Sequence, residues 1–237
     1  MVGTYRERTA EVASLEQAGA RLFGVDVGSP ADVGVFADEL GRGDFAWDVM
    51  ISAVGVLAPI GPFFSLDFDA WQDSVVVNSL AQLRVLHALY PQRASDRIAK
   101  VVFFAGGGTN SAFDCYSAYC LGKLSLIKAT ELLDSEYPDL QVSIIGTGWV
   151  NTKIHRQTVA AGEAAGINFD KTRQFMSDDV GGASLERVAE CVDWCLAAPR
   201  DAVGGRNFSL VHDDWADPAF VARLQSDPGS HKLRRRV

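Results

Sequence analysis

Tyr116-Ser117-Ala118-Tyr119-Cys120-Leu121-Gly122-Lys123 opens a stretch whose pattern predicts a helix to about Glu136, with Tyr119 and Lys123 one turn apart on one face. A phenol, with a reference pKa of about 10, exchanges protons poorly at neutral pH. A neighbouring ammonium stabilises the phenolate and draws that value toward the working range. Tyr119 with Lys123 is therefore a candidate general acid/base for a carbonyl/alcohol pair. Tyr119, Lys123, Leu126, Thr130 and Leu133 are equally the stripe of an ordinary amphipathic helix, so the surrounding chain has to decide between the two.

Working outward, strand-like runs alternate with helical ones. Arg21–Val25, Asp48–Ser52, Lys100–Phe104, Gln141–Ile145 and Arg206–Val211 read as strands. Tyr5–Gln17, Ser29–Leu40, Phe68–Tyr90, the Tyr119 segment and Leu185–Leu196 read as helices, the second with Ser29-Pro30 as its capping start. This alternation predicts a single α/β domain over residues 1–237, a parallel sheet covered on both faces. Residues 153–182 lack a clear strand and read as an insertion over the sheet. Ligands of such sheets sit beyond the carboxyl ends of the strands, where Asp26, Ser52–Gly55, Ala105–Gly108 and Thr147-Gly148 fall.

Composition narrows the function classes. The 237 residues are 48% hydrophobic and carry a net charge of -8, enough for a full core and against a nucleic-acid partner. Lys232 with Arg234, Arg235 and Arg236 reads as a solvated tail. No apolar run approaches the roughly 20 residues that span a bilayer, and no signal-peptide core is apparent, so a cytoplasmic protein without a membrane partner is expected. Cys115, Cys120, Cys191 and Cys195 fit no metal or redox spacing, and no metal is expected; His212-Asp213-Asp214 reads as a polar strand end. No nucleophile elbow and no P-loop are present.

The order of these pieces resembles the short-chain dehydrogenase/reductase family, Rossmann-type nicotinamide-dependent oxidoreductases with a doubly wound sheet. Five signals carry the resemblance: Asp26-Val27 after a strand, Ser52-Ala53-Val54-Gly55, Asn78 within a helix, Tyr119-x-x-x-Lys123, and Thr147-Gly148-Trp149-Val150-Asn151-Thr152. The resemblance implies that Tyr119 transfers the proton, that Lys123 lowers its pKa and binds the nicotinamide ribose, and that Asn78 holds a relay water. It implies that Asp26 and Val27 meet the adenine, that Ser52, Gly55, Thr147 and Gly148 lie along the cofactor, and that Val150 and Thr152 contact the carboxamide. Read as residues alone, Asn78 is also a satisfied buried amide, Asp26 a turn residue and Thr152 a helix cap. Arg6 stands where the family binds the 2′-phosphate of NADP, which makes NADP the expected cofactor ahead of NAD. The resemblance further implies a small carbonyl or secondary-alcohol substrate, sugar-like by the Gly-Gly-Gly and His212–Trp215 stretches, a lid at 153–182, and a homodimer or homotetramer.

The chain departs from the family pattern in three places, the mildest being Ser52-Ala53-Val54 and Thr147 where the family has Asn-Asn-Ala and Pro. It opens at Met1-Val2-Gly3-Thr4-Tyr5-Arg6, resembling the end of the family's second strand, so a first βα unit of roughly 30 residues, with its glycine-rich turn, is expected to be missing. The sheet would then show two long pairing edges. The family's serine is expected at Gly106 or Ala105, and neither has a hydroxyl. Thr109 and Ser111 are nearby. Losing one such donor costs on the order of 10²–10³ in rate, so weak activity or a non-catalytic scaffold is the alternative.

Overall fold

The computed structural model describes residues 1–152, 154–177 and 182–235. The chain starts with β1 (Val2–Tyr5), turns through α1 (Ala10–Gln17), capped by the Thr9 hydroxyl, and returns as β2 (Arg21–Gly24), parallel to β1. α2 (Pro30–Gly41) begins as its sequence predicts, Ser29 Oγ accepting the Asp32 N–H and proline occupying the first turn. β3 (Val49–Ser52) follows.

The long helix predicted over Phe68–Tyr90 is instead two, α3 (Phe68–Asn78) and α4 (Leu80–Leu89). They break at Ser79, whose backbone leaves the helical region (φ -136, ψ -79). The cause is local. Asn78 turns its side-chain amide onto the backbone of Val56, and Ser79 Oγ donates to Val75 O at 2.6 Å, so hydrogen bonds outside the helical ladder replace those lost at the break.

β4 (Ala99–Phe104), α5 (Ser117–Glu136) and β5 (Leu140–Gly146) form the middle of the molecule. The 153–182 region contains two helices, α6 (Ile154–Ala161) and α7 (Ile167–Ser177), with Lys153 and residues 178–181 outside the described residues. α8 (Leu185–Ala197), a one-turn α9 (Arg200–Val203), β6 (Asn207–Ser209) and α10 (Pro218–Ser226) complete the chain.

Strands β3-β4-β5-β6 pair in that order, all parallel, while β1 and β2 form a separate parallel pair. On one face Val101 and Phe103 of β4 and Val142 and Ile144 of β5 pack against α2, α4 and α5; on the other, Val102 and Ile145 meet α8, β6 and α10. The cover is incomplete over β3. Ile51 pairs with Val102 in register and shares its face, yet Ile51 is 51% exposed and Val102 1%. β3 is the outer strand of the four, paired with β4.

The C-terminal stretch is not a free tail. Arg234 pairs with Glu131 on α5, and buried Arg206 donates to the carbonyls of Leu224, Asp227 and Ser230; Arg236 lies outside the described residues. Asp213 accepts from Ser209 N–H and faces His231, so the 212–214 run closes a turn. Cys191 and Cys195 are buried core thiols. No helix among the described residues is long and apolar enough to cross a membrane.

Candidate active site

Gly122 decides how closely the two central helices meet. A Cβ there would lie 2.6 Å from Asn78 Cβ and 3.1 Å from Val75 O, so only glycine lets α5 lie directly on the end of α3. That contact brings Lys123 and Asn78 to the same spot at the carboxyl end of β3. A Cβ built on Gly55 would stand 3.8 Å from both Asn78 Oδ1 and Lys123 Nζ, and 3.7 Å from Ile154 Cδ1.

Lys123 is 3% exposed and donates to two carbonyls, Val54 O and Phe104 O, each at 2.8 Å. An ammonium carries three N–H groups, so one remains. Burial pushes its pKa down to about 8, because removing water penalises the charged form. Asn78 Nδ2 donates to Val56 O and Ser74 O, and its Oδ1 accepts from Val56 N, so the amide braces the loop after β3. Gln82, one turn further on, extends the brace. Its Nε2 donates to Asn78 O and its Oε1 accepts from Ser52 Oγ. The role of Gln82 went unread in the sequence, although its i+4 spacing from Asn78 on a buried face was visible.

Tyr119 is 8% exposed, and its hydroxyl lies against Gly106: a Cβ added to that glycine would sit 2.0 Å away. The place the family's serine would fill is therefore taken by the phenol itself. Burial pushes the Tyr119 pKa up to about 12. This reverses the direction expected from a neighbouring lysine: the apolar packing around the phenol outweighs any stabilisation of its anion. The glycine run does turn back, through Gly108 in the left-handed region (φ 86), and Thr109 Oγ1 comes to 3.3 Å from Gly106 O.

α6 and α7 close over this point. Gln157 Oε1 accepts from both Leu57 N (2.8 Å) and Ala58 N (3.1 Å), and Tyr116 donates to Thr158 Oγ1 at 2.8 Å. Phe169 of α7 joins the cluster around Tyr119, whereas Phe175 packs on Trp149 and His155, and Met176 is exposed. Only the first of these three faces the site.

The remaining sequence-predicted residues divide between the ends of β3 and β5 and the separate β1–β2 pair. Ser52 is buried in the Gln82 network. Thr147 and Gly148 (φ 66) form the turn after β5, Val150 is buried and its carbonyl lies 2.9 Å from His155 Nε2, and exposed Thr152 accepts the His155 N–H at the start of α6. Asp26 Oδ1 accepts from Gly28 N in a turn before α2, and Val27 packs on the core. Gly28 approaches Val77 Cγ2, which places the end of β2 beside the end of α3. Arg6, at the end of β1, is exposed and contacts Glu7.

A parallel sheet with helices on both faces and a Tyr-x-x-x-Lys helix at its carboxyl rim defines a Rossmann-type α/β protein. Residues 1–203 match the family model described as enoyl-(acyl carrier protein) reductase. The short chain dehydrogenase tazN of Aspergillus terreus is 27% identical over 205 residues, covering 84% of this chain and 41% of that protein. The chain thus spans about two fifths of the length of that curated relative. A short-chain dehydrogenase/reductase of Burkholderia multivorans with bound NADP superposes with TM-score 0.66 at 20% identity, covering 90% of this chain and 86% of that one. NAD+-bound xylitol dehydrogenase gives TM-score 0.70 at 18% identity, with 83% and 81% covered. The chain belongs to the short-chain dehydrogenase/reductase family of oxidoreductases.

Proposed function

We propose that the protein is a nicotinamide-dependent oxidoreductase that interconverts a carbonyl and a secondary alcohol, with Tyr119 as proton donor and acceptor. The observation that carries this reading is the buried meeting of Lys123 and Asn78 at Gly55, one helical turn from the buried Tyr119, where Lys123 is held by two carbonyls and keeps one N–H for a ligand. Two family relatives whose structures hold NADP and NAD support the cofactor class. The residues fit its nicotinamide-ribose end: Lys123 offers a donor and Gly55 an open backbone beside it. Ser52, Thr147, Gly148, Val150 and Thr152 would flank it, and Asp26, Val27 and Arg6 would meet its adenosine end. Arg6 beside a 2′-phosphate favours NADP.

The cofactor, when bound in reduced form, supplies the hydride. Tyr119 gives its proton to the substrate oxygen as the carbonyl carbon becomes a C–H centre, leaving a secondary alcohol and an oxidised cofactor. A phenol pushed up to about 12 is protonated throughout the neutral range, so the resting site suits reduction. Lys123 would steady the phenolate so formed. Asn78 holds the loop that positions both. The exposed Phe68, Leu121 and Leu132 on α3 and α5 support self-association.

A second reading, a non-catalytic binding protein, is favoured by one observation: Gly106 provides no hydroxyl to aid Tyr119 at the substrate oxygen. Tyr119→Phe separates the two. NADPH consumption with a ketone panel, at least about 10³-fold lower in the variant with unchanged thermal unfolding, is expected of the enzyme. No turnover in either protein would leave the binding reading, and equal turnover in both would remove Tyr119 as the proton donor.

A further inference from the structure

Apolar side chains pack around Tyr119. Leu57, Ile60, Phe113, Tyr116, Ala165 and Phe169 cluster on it, with Tyr116 stacked on Phe113 at 4.4 Å. The polar groups at the edge of this cluster already have partners. Tyr116 OH is bonded to Thr158, Gln157 Oε1 takes two backbone N–H groups, and Asn168 Nδ2 donates to Asp114 O. Of the charged groups nearby among the described residues, the Lys123 ammonium is turned to the Val54 and Phe104 carbonyls and the Arg173 guanidinium lies over the Phe169 ring at 5.5 Å.

A substrate entering here exchanges contacts with α6 and α7 for contacts of its own. An apolar body replaces them in kind, because the removed side-chain area and the incoming area are of one chemistry. A polyol would bring several hydroxyls out of water toward groups that are already bonded, and each unpaired hydroxyl lowers affinity by about tenfold. We infer, resting on the reading above, that this site takes a neutral ketone or secondary alcohol carried on an aromatic or aliphatic body and discriminates against sugars.

The test uses the full chain and two probes, 4-phenyl-2-butanone and glucose, with binding and turnover read separately. Binding is followed through the thiols: Cys115 and Cys120 border the cluster and are partly accessible, whereas Cys191 and Cys195 are core residues. The ketone is expected to slow modification of Cys115 and Cys120 by a thiol reagent at least about tenfold, with glucose having no effect at the same concentration. With NADPH present, kcat/KM for the ketone should exceed that for glucose by at least about 100-fold. Phe169→Ser, at a partly buried position, should weaken ketone protection by about tenfold and leave the glucose result unchanged.

Protection by both probes alike, by glucose alone, or by neither overturns the inference, as does turnover of glucose at a comparable rate. Protection by the ketone without turnover in any nicotinamide cofactor leaves the apolar binding preference standing and removes the oxidoreductase reading. The two failures are therefore distinct.

Discussion

The four-stranded block and the β1–β2 pair are built from the same parallel strands and differ in what covers them. In the block, β4 and β5 are sandwiched between α2, α4 and α5 on one face and α8 with α10 on the other; every residue of β5 is buried except Gly146. In the pair, Arg21 and Gly24 are exposed and no residue of either strand is fully buried. The candidate proton-transfer residues all sit on the block. Arg6, Asp26 and Val27, expected at the adenosine end of a cofactor, sit on or after the pair. On the proposed reading, chemistry that needs desolvated, fixed groups would fall where packing is densest, and recognition of a solvated nucleotide end to the thinner part.

The largest expected effect tests that contrast in stability. Phe103 on β4 is 0% exposed among core residues of both neighbouring strands, so Phe103→Ala should cost about 3–5 kcal/mol in urea denaturation. Phe23 on β2 is only partly buried, packed edge-on to Phe36 at 5.2 Å with Arg21 over its ring, and Phe23→Ala should cost about 1–2 kcal/mol. Equal costs would break the comparison.

A smaller effect sharpens it within the block. The buried Lys123 has its pKa near 8, against an ordinary 10.5 in the unfolded chain. Between those values the unfolded chain holds a proton that the folded one has released, so folding stability contributed by this group rises with pH across that window. Below about 8 both states are protonated and the full burial penalty of the ammonium is present. The stability of the wild type minus that of Lys123→Met should therefore be flat below about pH 8 and climb by about 2–3 kcal/mol toward pH 10.5. A flat difference up to pH 10 would mean that the amine is solvated and the site more open than its geometry indicates.

Legibility followed the same division. The Ser29 cap and the Tyr119 helix with its end at Glu136 were readable because caps and 3.6-residue periodicity are local. The break at Ser79 was not, since it depends on Asn78 reaching Val56, a contact that only the fold creates. The rise of the Tyr119 pKa was misread for a related reason. A helix wheel shows that Lys123 is near Tyr119, but not that Leu57, Phe169 and the Gly106 backbone surround the phenol. Nor do residues 153–182 announce, as sequence, that Gln157 will cap two backbone N–H groups a hundred positions away. Arg234, read as solvated tail, found Glu131 by the same kind of distant pairing.

The smallest effect probes the pair alone. Arg6 is largely exposed, and Glu7, its ion-pair partner at 3.5 Å, is equally so. Such a contact is worth little, and Arg6→Ala should leave thermal unfolding within about 0.5 kcal/mol of wild type. A guanidinium offered to a 2′-phosphate in solvent should still add a charge-assisted contact, screened by salt over roughly 10 Å at 0.1 M. Arg6→Ala is therefore expected to raise the NADPH dissociation constant by about three- to tenfold at low salt, less at high salt, with NADH unaffected. The NADH arm carries the logic, because a general disturbance of the β1 end would weaken both nucleotides equally. If both weaken, Arg6 supports the fold of the pair; if only NADPH does, the β1–β2 pair sets cofactor choice apart from the block that carries Tyr119 and Lys123.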